Sequence, residues 1–281
     1  QQIFLPHVYR WCRRRRIPFV AYVGTAHSLD SNFKSKVMNA LFAAGTLRIY
    51  KKNPVLAKTS AAKEELRQLG VPHAVIAPVG LDNAVLKKNI PADEKMRLRK
   101  EHGFEADDVI LCNVSRLSWE KRPLELIDLF LQVKGKKKFK LIIVGNGPLE
   151  EELNEKIRKN GLEKEVKIYP NVPYEKMWEI YEMSDYYLNM NKGEIFGMAI
   201  MEAVYYKTSV AAIRALGPSV TLKDMKGHKL CENDDEMAEW ITGPYPSEKD
   251  LQESSEKMAA TFTWDRCADA FLQASSEKSS R

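Results

Sequence analysis

Residues 194–202 read EIFGMAIME, with a carboxylate at each end of an otherwise apolar run. Met198, Ala199, Ile200, Met201, Ala203 and Val204 leave almost no polar face, which predicts a helix covered on most sides and beginning near Phe196 or Gly197. A charged group in such surroundings costs several kcal/mol unless something pairs with it. Each acid has an ordinary explanation: the helix dipole favours Glu194 near the N-terminus, and a neighbouring Lys or Arg would bridge Glu202. Their spacing offers a chemical one. With Glu194 in the loop and Glu202 about five residues into the helix, the pair brackets a helix start whose amides and dipole suit an anion. A nucleotide diphosphate-sugar has matching parts, with hydroxyl-rich sugars on both sides of a diphosphate. One carboxylate accepts from hexose hydroxyls and the other from the ribose diol, while the phosphates lie on the amides between.

Two further stretches carry groups suited to the same ligand. SRLSWEKRP places Ser115, Arg116 and Lys121 just after an apolar, strand-like run. Arg as a bidentate fork and Lys as a point charge neutralise a diphosphate; alone, the same residues read as an exposed loop. VGNGP (144–148) sets Gly145 and Gly147 where a strand turns tightly into a helix, a weak phosphate loop by itself. No Asp-x-Asp metal motif occurs, and Cys12, Cys112, Cys231 and Cys267 are too scattered for a disulfide scaffold or a zinc site.

These groups need a frame that brings distant loops together. Strand-like runs at 18–24, 54–60, 73–79, 108–115, 139–145, 165–170, 185–190 and 208–213 alternate with helix-length segments such as SNFKSKVMNALFAAG, PLELIDLFLQVKG, PLEEELNEKIRKNG and YEKMWEIYEMS. Such alternation predicts α/β architecture with parallel sheets built from βαβ units. The charged segment 87–108 separates two such series, the first with about three strands and the second with about five. An open sheet of this kind binds ligands at the C-terminal ends of its strands.

The 281 residues carry a net charge of +6 and suit one large or two medium globular domains. No run approaches the roughly 20 apolar residues of a membrane span. The opening QQIFLPHVYRW has neither an initiator Met nor a signal-peptide pattern, so a fragment or processed form in a reducing, cytoplasmic setting is expected. Positive charge concentrates in RWCRRRR (Arg10 to Arg16) and in KGKKKFK (134–140). No zinc-finger, RRM or KH pattern accompanies them, which argues against nucleic acid. A basic block beside Trp11 suits anionic lipid headgroups at the inner membrane face, or is plain solvated surface.

SRLSWEK, LIIVGNGPLEEEL, NVPYEKMWEIYEMSDYYLNM and above all E-I-F-G-M-A-I-M-E resemble the retaining GT-B glycosyltransferases of family 4. In the first domain AYVGTAHS is similar to the family's T-x-H segment and VIAPVGLD to its N-G-x-D strand end. The resemblance implies two Rossmann-like domains with parallel sheets. It divides the chain into an incomplete acceptor-side domain (1–90), lacking its first strands and glycine-rich loop, a nucleotide-sugar domain (91–260) and a final helix (261–281) returning to the first. Carried over by motif, Arg116 and Lys121 bind the donor diphosphate, Glu194 the transferred sugar and Glu202 the ribose. Phe196, Gly197 and Met198 offer backbone amides, Gly145 and Ser115 border the phosphates, the backbone at Asn171 and Val172 meets the base, and His27 stands at the reaction centre. The implied activity is metal-free transfer, with retention, from a UDP- or GDP-sugar to a sugar or lipid-linked acceptor in polysaccharide or glycoconjugate biosynthesis. A nucleotide-sugar-binding fragment or pseudoenzyme is the alternative, favoured by the expected lack of the glycine loop. The chain departs from the family at Lys207, Thr208 and Ser209, where G-x-P is usual, and at Val79, where Asn is.

Overall fold

The structure is a computed structural model that describes residues 4–24, 37, 40–41, 45–82 and 86–276. His27 and most of the segment 31–45, read above as a helix, lie outside the described residues. The chain divides into two compact units, Gln1–Gly80 with Phe262–Arg281, and Leu81–Thr261.

In the first unit three short parallel strands, β1 (Ala21–Val23), β2 (Val55–Ala57) and β3 (Val75–Ile76), lie in that order. Val55, Leu56 and Ala57 are all buried, as expected of a central strand covered on both faces. One face packs Ala21, Val23, Tyr50, Leu66 and Val71 together. The other, with Leu56 and Ala77, is covered by Cys267 and Ala274 of the helix Trp264–Ser276. The helix Trp264–Ser276 therefore covers one face of this unit's sheet.

The second unit carries a parallel sheet of β4 (Val109–Val114), β5 (Phe139–Val144), β6 (Val166–Tyr169), β7 (Tyr186–Asn189), β8 (Ser209–Ile213) and β9 (Lys229–Cys231). Their spatial order is β6-β5-β4-β7-β8-β9. The sixth strand, β9, corrects the expectation of about five: Lys229 and Leu230 are only partly buried, and a three-residue edge strand has no pattern long enough to read. The helix Pro123–Val133 buries Leu126, Ile127, Leu129, Phe130 and Val133 against Leu141, Ile143 and Leu188 of the sheet.

The charged segment 87–108 lies within the second unit. It holds the helix Glu94–Glu101, whose Arg99 is 5% exposed. Arg99 donates to the carbonyls of Met183 at 3.0 Å and Asp108 at 3.1 Å and to Asp185 Oδ2 at 2.6 Å. Asp185 also accepts from Lys95 Nζ at 2.9 Å and from the Ile110 amide at 2.8 Å. A buried guanidinium with this many acceptors is tied into the second unit by its own desolvation cost.

Candidate active site

Strand order reverses between β4 and β7, neighbours in space whose following segments cross to opposite sides of the sheet. Ligands of open α/β sheets bind in the crevice outside such a reversal. Asn113 holds the seam: its amide donates to the Leu188 carbonyl at 2.8 Å and its oxygen accepts from Ser115 Oγ at 2.9 Å.

From β4 the chain runs through Ser115, Arg116 and the 3-10 turn Trp119–Lys121. From β7 it runs through Asn191 to Gly197 and then into the helix Met198–Tyr205. These two segments meet. Lys121 Nζ donates to Glu194 Oε2 at 2.8 Å, and Asn191 Nδ2 donates to the same oxygen at 3.1 Å. Burial opposes the charge on Glu194, but Lys121, with help from Asn191 and Asn189, outweighs it and holds the carboxyl below its ordinary range. Glu194 is a carboxylate at neutral pH, beside a cation and only partly covered.

The β4 loop is locked in turn. Arg122 takes a left-handed conformation (φ 56°) just before the helix Pro123–Val133, and its fork reaches Asp234 at 3.0 and 2.8 Å. From below, Gly145 closes on the loop so tightly that a Cβ there would stand 2.0 Å from the Ser115 carbonyl oxygen, and its φ of 134° excludes most side chains as well. The Leu117 amide donates to the Asn146 carbonyl at 2.8 Å.

The helix after Glu194 begins at Met198, one residue beyond the expected start, with Gly197 in a left-handed conformation as its N-cap (φ 85°). No side chain caps it and its first turn holds no acid among the described residues. Phe196 and Gly197 are buried and Met198 half-buried.

Glu202 is 7% exposed, and its partners are tyrosines rather than the Lys or Arg that spacing alone suggests. Tyr181 donates to Oε2 at 2.7 Å and Tyr174 to Oε1 at 3.1 Å. Burial raises the Glu202 pKa, and the two hydroxyls offset part of that rise. Tyr181 is fully buried and stacks on Tyr206, centroids 5.9 Å apart; Tyr174 is partly exposed on the turn after β6. Asn171 lies in the same segment, its oxygen accepting from Asn146 Nδ2 at 2.9 Å, next to the half-buried Val172.

The structure thus joins Lys121 with Glu194, just before the 196–198 turn, and packs Gly145 against Ser115. Arg116 is set apart: its guanidinium is exposed and paired with Glu120 at 3.0 Å. Sequence reasoning missed Asn189, Asn191, Tyr174 and Tyr181. The two asparagines carried a signal, amides closing an apolar strand in YYLNMN; the tyrosines looked like ordinary core aromatics. Among the described residues no group of His, Cys, Asp and Glu side chains is arranged to hold a metal ion.

Two Rossmann-like units with parallel sheets, one with a crevice at its strand reversal, are the architecture of the GT-B fold. The chain belongs to the glycosyl transferases group 1 family, whose pattern matches residues 94–258. It is 26% identical over 297 aligned positions to the D-inositol 3-phosphate glycosyltransferase of Mycobacterium avium, an alignment covering 93% of this chain and 65% of that protein. The chain thus spans just under two thirds of the length of that relative. HepE of Anabaena, solved in complex with UDP, superposes with a TM-score of 0.79 at 19% identity, covering 100% of this chain and 77% of that one. Sucrose-phosphate synthase of Thermosynechococcus elongatus gives a TM-score of 0.76 at 17% identity, covering 94% and 69%. At these identities the structural likeness shows the fold.

Proposed function

We propose that the chain transfers a sugar, with retention of anomeric configuration, from a nucleotide diphosphate-sugar to a hydroxyl of a sugar or lipid-linked acceptor. The observation that carries this reading is the Lys121–Glu194 contact at the strand reversal, a cation and a sugar-compatible carboxylate 2.8 Å apart beside an uncapped helix start. Lys121, Arg116 and the amides of Phe196, Gly197 and Met198 take the diphosphate. Arg116 exchanges Glu120 for a phosphate oxygen, an inexpensive move for an exposed pair. Glu194 accepts from hydroxyls of the transferred sugar and Glu202 from the ribose diol, the ribose replacing Tyr174 at Oε1. The base lies along Asn171 and Val172.

As the anomeric carbon–phosphate bond breaks, charge grows on the leaving diphosphate, where these cations and dipoles are already placed. The acceptor oxygen bonds to the anomeric carbon on the face the diphosphate leaves, and the departing phosphate oxygen takes its proton. The proposed partners are the donor and the glycan or lipid-linked acceptor. UDP derivatives are the first choice because HepE, of like fold, holds UDP.

Thermal unfolding with a panel of nucleotides and nucleotide-sugars tests the reading. A ligand bound only by the folded state stabilises by roughly 2.7 kcal/mol at a hundredfold excess over Kd, a shift of several degrees. UDP or GDP derivatives should raise Tm, the free base should not, and EDTA should leave the rise intact because protein cations neutralise the diphosphate. No rise with any donor, from folded protein, would overturn the assignment.

A further inference from the structure

The arginine block near the start of the chain lies outside this chemistry. It ends the helix Leu5–Arg14, which is two-faced. Leu5 packs into the first unit's core, Cys12 is buried, and Tyr9 meets Phe19 edge-on at 5.3 Å. Phe4, Val8 and Trp11, spaced to share the adjacent face, are 69%, 50% and 50% exposed. Large apolar groups on one helix face that no described residue covers mark a contact surface.

The charges around that face are one-sided. Arg10, Arg13, Arg14, Arg15 and Arg16 are all exposed, and no Asp or Glu occurs before Asp30. Arg10 bonds the Pro6 carbonyl and Arg15 lies 4.6 Å over the Trp11 ring; no carboxylate pairs with any of the five among the described residues. Surface arginines elsewhere in the chain, such as Arg67, Arg97 and Arg214, do have acidic partners. A helix with exposed Phe, Val and Trp beside unpaired arginines matches a surface that is anionic outside and apolar beneath.

We infer that the helix Leu5–Arg14 docks the protein on an anionic lipid bilayer, with Phe4, Val8 and Trp11 entering the headgroup boundary and Arg10 and Arg13 to Arg16 meeting lipid phosphates. A nucleic acid would use the same charges but would leave the apolar face unexplained. The inference stands apart from the donor site.

Co-sedimentation with vesicles of phosphatidylcholine alone, and with phosphatidylglycerol added, tests it. The parent chain should bind the anionic vesicles and release them at high salt, with little binding to the neutral ones. Replacing Arg13 to Arg16 with Gln should weaken vesicle binding at least ~10-fold, and so, separately, should Val8→Ser with Trp11→Ser. All altered positions are exposed, and unchanged Tm in each variant confirms folding. Absence of binding to anionic vesicles, or binding that survives either set of changes, would overturn the inference. So would loss on removing arginines alone together with equal binding to an arbitrary oligonucleotide, which would mark a polyanion site.

Discussion

Lys121 and Glu194, 73 residues apart in sequence, meet at 2.8 Å where β4 and β7 release their loops. The contact satisfies a partly buried carboxylate in the free protein, with Asn191 and Asn189 as its further partners. If Glu194 holds the transferred sugar, Glu194→Gln should lower the transfer rate about 100-fold, as loss of a charge-assisted contact strengthened in the transition state does. Nucleotide affinity should stay within about twofold, because in the proposed arrangement the nucleotide does not touch it. Steady-state kinetics together with calorimetry on UDP checks the split; equal losses in rate and affinity would move Glu194 to the nucleotide.

Tyr181 and Tyr174 make the same kind of bond to Glu202, but from different surroundings. Tyr181→Phe leaves a buried carboxylate oxygen without a donor where water cannot follow, and should cost about 1–3 kcal/mol of stability. Tyr174→Phe should cost less than 1 kcal/mol, because solvent reaches that side. Denaturant titration ranks the two, and the reverse order would contradict the burial seen here.

His228 gives a pH dependence of known sign. Its Nδ1 accepts from the Val210 amide at 3.0 Å, a bond open only to the neutral ring, and burial lowers the pKa from 6.5 to about 4. The unfolded chain takes up this proton near pH 6.5 while the folded protein refuses it until about pH 4. The contribution is therefore complete above pH 6.5 and lost as pH falls toward 4, at most about 3 kcal/mol. His228→Gln should flatten the stability–pH curve across that window; an unchanged slope would show that other groups set it.

Arg99 predicts the largest loss. Arg99→Met strands Asp185 with one fewer partner and leaves the Met183 and Asp108 carbonyls unmet, which should cost about 3–5 kcal/mol. Because these acceptors lie at the opposite end of the strands from the crevice, UDP affinity of the folded fraction should be preserved. Thermal melts with and without UDP separate the two effects.

The parallel sheets were legible because the apolar runs of β4, β5, β7 and β8 are nearly unbroken, and the EIFGMAIME stretch follows one of them. What stayed hidden depends on tertiary pairing. Nothing in EKMRLRKE marks Arg99 as buried among neighbours that look the same, since the carbonyl of Met183 and the carboxylate of Asp185, 84 and 86 residues away, make it so. Likewise Tyr174 and Tyr181 are recognisable as partners of Glu202 only once the turn after β6 is laid beside the helix Met198–Tyr205.

Gly145 pressed against the Ser115 carbonyl has a consequence for redesign. Two loops whose backbones touch cannot be varied independently, so libraries randomised at 115–117 or 145–147 should return mostly unfolded clones. The turn 171–174 is held by side-chain bonds, Asn171 to Asn146 and Tyr174 to Glu202: Asn171 and Tyr174 are exposed and Val172 is half-covered. With the base placed as proposed, a search for altered base preference belongs at Val172, keeping Asn171 because its side chain bonds Asn146 of the glycine turn.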